Sequence, residues 1–182
     1  MKEGMSMKNK YLIFSDCHGS ISSMKRILEI YEEEKCNKLI CLGDILYHGP
    51  RNNLPNEYNP KEVAELIKNF KGDLLMIRGN CDGRVDEMVT DTKMHDFYTV
   101  KNMLFTHGDL LKKQKSKLFK KIVFYGHTHI MEVKKVGNTY YINPGSVTIP
   151  KKGEASFMIL EDNVVKAYNM NKEIILEEEL KL

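Results

Sequence analysis

Carboxylate, imidazole and amide side chains gather in this chain where short apolar runs end. Asp16 and His18 follow Tyr11-Leu12-Ile13-Phe14, Asp44 follows Leu39-Ile40-Cys41-Leu42, and Asn80 follows Leu74-Leu75-Met76-Ile77. Farther on, His107 closes Met103–Thr106, while His127 and His129 close residues 122–125. Alone, each reads as a turn former or a solvated side chain. Jointly they are seven candidate ligands at five strand ends, and ligands in open α/β sheets sit outside the carboxyl ends of the strands. Mixed oxygen and imidazole donors suit borderline divalent ions such as manganese, iron, zinc or nickel, whereas calcium would recruit few imidazoles. Seven donors exceed the needs of one tetrahedral ion, but two ions sharing a carboxylate could use them.

The apolar runs that carry these residues read as buried strands. Ile21, Met24, Ile27, Leu28 and Tyr31 form a helical stripe, followed by the charged run Glu32-Glu33-Glu34-Lys35. Asn59-Pro60-Lys61-Glu62 has the form of a helix start, with Asn59 at the N-cap, Pro60 at the first helical position and Glu62 in the capping-box role. That helix is expected to run to about Lys71 and to end at Gly72. The order strand, helix, strand, helix, strand implies a parallel sheet with helices packed on it. The second half reads as short strands at 97–100, 103–106, 122–125, 131–136, 139–142, 155–160, 164–168 and 174–178. Gly137-Asn138 and Asp162-Asn163 are hairpin turn signals. The expectation is a second, mostly antiparallel sheet facing the first.

At 182 residues the chain suits one compact domain over 11–182, preceded by a polar tail over 1–10. The formal charge of +3 is small. The only basic cluster is Lys112, Lys113, Lys115, Lys117, Lys120 and Lys121, with Phe119 and Phe124 as its aromatics; it reads as a solvated face, and no nucleic-acid partner is expected. No apolar run approaches the roughly 18 residues of a membrane span, so no membrane association is expected. The segment MKEGMSMKNK lacks the apolar stretch of a secretory signal. Cys17, Cys36, Cys41 and Cys81 form no CxxC pair, and reduced thiols in a cytoplasm are the simplest account.

SDCHG, GDILYHGPRN, RGNCD, THG, GHTH and NPGS occur in this order. Together they resemble the calcineurin-like metallophosphoesterase family, and within it the YfcE-type bacterial phosphodiesterase branch, from Tyr11 to about Leu160. The resemblance implies an α/β fold, a four-layered αββα sandwich with the dinuclear site at one edge. It implies that Asp16, His18 and His129 hold one metal, that Asn80, His107 and His127 hold the other, and that Asp44 bridges them. It also implies hydrolysis of a small phosphodiester by in-line attack of a metal-bridging hydroxide, without a covalent phospho-enzyme. The cofactors are then two divalent transition-metal ions, manganese first, with nickel, zinc or iron as alternatives. Relatives are often dimers or larger, so a homo-oligomer is a further expectation. The same fold also serves a retromer subunit that works through protein contacts, which makes a catalytically weak scaffold for protein–protein binding the alternative; the filled ligand set favours the enzyme.

Candidate catalytic residues are Asp44, Asn80, Cys81 and His48, and candidate substrate contacts are Arg51, Asn80 and His48. Cys81 stands where the wider family carries a histidine that stabilises the transition state and protonates the leaving oxygen. A thiol has a reference pKa of about 8.5, and nearby cations would favour the thiolate, so Cys81 is expected to be a poor proton donor that lines the site and affects selectivity. General-acid help is typically worth about 10²–10⁴-fold; its loss should hurt substrates with poor leaving groups most. His48 could reach the phosphate or donate a proton, or could be a loop histidine bonded to backbone. Arg51 could hold a phosphoryl oxygen through its planar fork or tie down its own loop. Asp109 occupies a position where relatives often have histidine. His95 fits no motif and reads as structural or exposed. Asn143-Pro144-Gly145-Ser146 reads as a turn supporting the histidine loop.

Overall fold

The computed structural model describes residues 9–111 and 120–181. Strands β1 (Lys10–Phe14), β2 (Lys38–Cys41) and β3 (Leu74–Ile77) pair in parallel, with Leu12 opposite Leu39 and Ile40 opposite Leu75. Their crossovers are α1 (Ile21–Glu33) and α2 (Pro60–Asn69). Ser20 caps α1 by accepting from Ser23 N, and Asn59 caps α2 by accepting from Glu62 N. Helix α2 stops two residues short of the expected end. Phe70 is extended and packs edge-on against Tyr31 at 5.1 Å, so a tertiary contact ends the helix before Gly72.

Alternation along the strands explains why they read as unbroken apolar runs. Leu12, Phe14, Leu39, Cys41 and Met76 face a cluster with Met24, Ile27, Ile30 and Ile67 of α1 and α2. Ile13, Ile40, Leu42, Leu75 and Ile77 face the other way, into a cluster with Phe105, Ile122, Phe124 and Ile142 of the second sheet. A strand covered on both faces needs apolar residues on both.

Two elements escape the sequence pattern. Helix α3 (Arg84–Thr90) leaves Val85, Met88 and Val89 exposed, so it shows no core-facing stripe. Strand β4 (Met94–His95) is a two-residue edge pairing with β3.

The second sheet comprises β5 (Phe97–Val100), β6 (Met103–Thr106), β7 (Ile122–Phe124), β8 (Met131–Val136) and β9 (Thr139–Pro144), in the order β5-β6-β7-β9-β8. It is mixed rather than mostly antiparallel: β6, β7 and β9 run parallel at its centre. That direction places the turns after β6, β7 and β9 at one edge. The last strands, β10 (Ser156–Glu161), β11 (Val164–Asn169) and β12 (Ile174–Glu179), join the first sheet instead, because β10 pairs antiparallel with β1. The first sheet thus has seven strands, in the order β12-β11-β10-β1-β2-β3-β4. Both hairpins expected at Gly137-Asn138 and Asp162-Asn163 form.

The result is the α/β sandwich expected, two sheets face to face and flanked by helices. Lys112, Lys113, Lys115, Lys117 and Phe119 lie outside the described residues. Phe124 is buried and stacked on Phe105, so it cannot stack on a base. Among the described residues no helix is long and apolar enough to cross a membrane.

Candidate metal centre

The ends of β1, β2 and β7 turn sharply at their functional residues. Asp16, His18, Asp44, His127 and His129 have φ of 56°, 50°, 56°, 65° and 57°. Non-glycine residues seldom occupy this left-handed region, and each such residue costs on the order of 1–3 kcal/mol. Surrounding bonds hold the turns. Ser146 Oγ donates to Asp16 O at 2.7 Å, and Thr148 Oγ1 donates to Cys17 O at 3.0 Å. Asn143 Nδ2 donates to Gly126 O at 2.8 Å and to Thr128 Oγ1 at 3.0 Å, clamping the loop of His127 and His129. The NPGS turn therefore braces both the first aspartate loop and the histidine loop.

A further brace, Asp82, was not singled out from the sequence. Its carboxylate accepts from Asp44 N and Gly79 N at 2.8 Å and from Ile45 N at 2.9 Å, tying the loop after β2 to the loop after β3. Burial, aided by the Asp44 charge and opposed by these donors, lifts its pKa to about 6. Its position inside RGNCD was the only available signal.

The inward-facing atoms converge. Asp16 Oδ1 lies 3.2 Å from His129 Nε2 and 3.7 Å from His18 Nε2. Asp44 Oδ2 lies 3.8 Å from His18 Nε2 and 3.4 Å from His107 Nε2, and His107 Nε2 lies 3.1 Å from Asn80 Oδ1. The His127 ring stands edge-on to His107 with centroids 5.1 Å apart, and its backbone N–H donates to Asp16 Oδ2. Donor atoms of Asp16, His18 and His129, and separately of Asp16, Asp44 and His107, all fall within 4.8 Å of one another. All seven expected ligands thus meet at one edge of the sandwich, with Asp16 and Asp44 between two groups of histidines.

Whether these residues fit metal ions can be read from the imidazoles. Nδ1 of His18, His107 and His129 lies 2.7, 2.8 and 2.9 Å from the carbonyl oxygens of Tyr47, Leu42 and Ile149. A carbonyl only accepts, so each Nδ1 carries a proton and each ring turns its Nε2 inward, the orientation of metal-binding histidines. His18 Nε2 and His129 Nε2 then face each other at 3.2 Å, and burial pushes the His18 pKa down, favouring the neutral ring. Asp16 Oδ1 is buried with no hydrogen-bond partner. Burial opposes charge on His107, but its bond to Asp44 and the Asp16 and Asp44 charges raise its pKa to about 9. Burial would lift the Asp44 carboxyl, yet His107 holds it at about 2. These groups are arranged around positive charge, and the donor set fits two divalent ions.

Cys81 lines the cleft beside this cluster, with its N–H donating to Asp44 Oδ1 at 2.8 Å and Asn80 Nδ2 donating to its sulfur at 3.3 Å. Burial, then the Asp44 carboxylate, pushes its thiol up to about 12. Burial and the nearby carboxylates outweigh the cations of the cleft, so the protein favours the thiol over the thiolate. Arg51 also lines the cleft. The His48 ring packs edge-on between Tyr47 and Tyr58, at 4.7 and 5.3 Å, while its carbonyl accepts from Asn52 Nδ2. Asp109 is exposed on the His107 side. His95 sits on β4 and packs against Tyr98 at 5.7 Å.

Comparison with known proteins agrees with this geometry. Residues 10–163 match the model of the calcineurin-like phosphoesterase superfamily domain. The chain is 34% identical over 175 residues to phosphodiesterase YfcE of Escherichia coli K12, covering 92% of this chain and 95% of that protein. The solved structure of the E. coli YfcE phosphoesterase superposes with a TM-score of 0.87 at 32% identity, over 94% of this chain and 100% of that one. Phosphodiesterase MJ0936 of Methanocaldococcus jannaschii is 27% identical over 180 residues, 91% of this chain and 98% of that protein. A metal-dependent phosphoesterase-type hydrolase with a candidate dinuclear centre, the chain belongs to the calcineurin-like phosphoesterase superfamily and is closely related to the YfcE-type bacterial phosphodiesterases.

Proposed function

We propose that this protein hydrolyses small phosphodiesters by in-line displacement at a dinuclear centre. The observation that carries the reading is the convergence of inward-facing Nε2 atoms and carboxylate oxygens on one point, with Cys81 at the cleft wall. Asp16, His18 and His129 would hold one ion and Asn80, His107 and His127 the other, with Asp44 shared. When bound, the ions supply Lewis acidity and make water a nucleophile at neutral pH. Arg51 neutralises a phosphoryl oxygen, and the Asn80 amide, oriented by Cys81, faces the reacting phosphate. Cys81 places a thiol at the cleft wall where the wider family carries the histidine that protonates a poor leaving group. Turnover then rests on substrates whose leaving oxygen needs little help, and on the single negative charge of a diester. The phosphodiesterase names of the bacterial and archaeal relatives support this choice. His48 holds the Asn52 side chain through its carbonyl and so shapes the Arg51 loop; its ring is proposed to aid substrate binding or proton transfer only from the cleft rim. Manganese is the proposed native metal. The four free cysteines fit a cytoplasmic setting, and a homo-oligomer is proposed from the habits of relatives.

The test is hydrolysis of bis(p-nitrophenyl) phosphate beside p-nitrophenyl phosphate by metal-stripped protein, with manganese, nickel, zinc or magnesium restored. Metal-dependent turnover favouring the diester is expected, and Cys81→His should raise monoester turnover by tenfold or more. Absence of turnover despite two bound ions would overturn the proposal in favour of a binding scaffold.

A further inference from the structure

The cleft beside the metal cluster measures about 490 Å³ and is lined by Arg51, from the loop after β2, and by Lys151, from the loop after β9. No sequence motif pointed to Lys151. Its backbone is nonetheless stitched to the metal-holding loop: Lys151 N donates to His129 O at 3.0 Å, His129 Nδ1 donates to Ile149 O, and Ile130 bridges Lys152. The backbone of Lys151 is therefore held beside the His129 loop, with its exposed side chain at the cleft.

Arg51 and Lys151 both line the cleft, and neither is engaged in an ion pair among the described residues, so both charges are open to a ligand there. A scissile phosphodiester carries one negative charge, which two divalent ions and Arg51 already exceed. Lys151 has nothing to neutralise there. Resting on the phosphodiesterase reading, we infer that Lys151 holds a second anionic group of the substrate, a terminal phosphate borne on one ester arm. The substrate class is then a diester with an additional phosphomonoester.

A matched pair of compounds tests this: thymidine 5′-(p-nitrophenyl phosphate), and the same diester bearing a 3′-phosphate. Wild type should favour the phosphorylated compound in kcat/KM by about five-fold, the ceiling for one exposed ion pair. Lys151→Met should bring the ratio to about one, while Lys152→Met, changed at the neighbouring exposed lysine, should keep it. Equal rates for the two compounds in wild type, or a preference that survives Lys151→Met, overturns the assignment. Calorimetric binding of thymidine 3′,5′-bisphosphate against thymidine 5′-phosphate to manganese-loaded protein decides the same point without turnover. A protein that hydrolyses no diester yet binds the bisphosphate about five-fold tighter through Lys151 defeats the activity and keeps the anion site; equal binding defeats the site.

Discussion

At the residue scale the centre is a set of strained turns held by hydrogen bonds to Ser146, Thr148, Asn143 and the Asp82 carboxylate. Five of the seven candidate ligands sit at positive φ, where the backbone reverses sharply enough to aim each side chain at a common point. Close approach adds a second constraint. A Cβ on Gly79 would collide with the Asp44 side chain and backbone, so the glycine of RGN lets two loops touch rather than merely permitting a turn. Asp44 is the residue on which both proposed ion sites depend. Asp44→Asn keeps the size and an acceptor for Cys81 N but removes the shared negative charge. Metal content by elemental analysis should fall by half or more, and diester turnover by at least about 100-fold. Full metal content with full activity would sink the bridging role.

At the element scale, strands place the ligands and helices hold the strands. Glu34, at the C-cap of α1, takes Lys10 of β1 on one carboxylate oxygen at 2.7 Å and Lys172 of the β11–β12 turn on the other at 2.5 Å. The Lys10 bond, then Lys172, depresses its pKa below the ordinary 4.5. A carboxyl depressed on folding stabilises above its unfolded pKa and loses that contribution as pH falls through the folded one. Glu34→Gln should therefore cost about 0.5–1 kcal/mol in urea unfolding at pH 7. The gap to wild type should hold down to about pH 4.5 and close below it; a gap independent of pH would show that packing rather than charge is responsible. At this scale the pattern of β1, β2, β3, α1 and α2 was plain in the sequence, because the helices bury one face with a regular period and the strands, buried on both faces, are unbroken apolar runs. Helix α3 was not, since Val85, Met88 and Val89 point to solvent and no period marks them.

On the scale of the molecule, the layer between the sheets joins fold to site. Phe105 and Phe124 stack there at 5.1 Å, 6° from parallel, and each strand leads within a few residues to a candidate ligand, His107 from β6 and His127 from β7. Phe105→Ala should destabilise the protein by about 3–5 kcal/mol, read as a lower urea midpoint. Because β6 would lose its anchor two residues before His107, manganese affinity should fall as well. Unchanged metal affinity in a destabilised variant would show that the loops position His107 without help from the core.

The sequence by itself determined the ligand types, their places at strand ends and the two-sided burial of the first three strands. Those are local properties: an apolar run and the polar residue that closes it are contiguous in the chain. Only the tertiary structure decided that β10, β11 and β12 leave the second sheet for the first, and that β6, β7 and β9 run parallel. It alone brought Asp82 to three backbone donors and surrounded Cys81 with carboxylates. Those facts depend on which distant segments pair and on what charge each brings, and hydrophobic period carries no record of either.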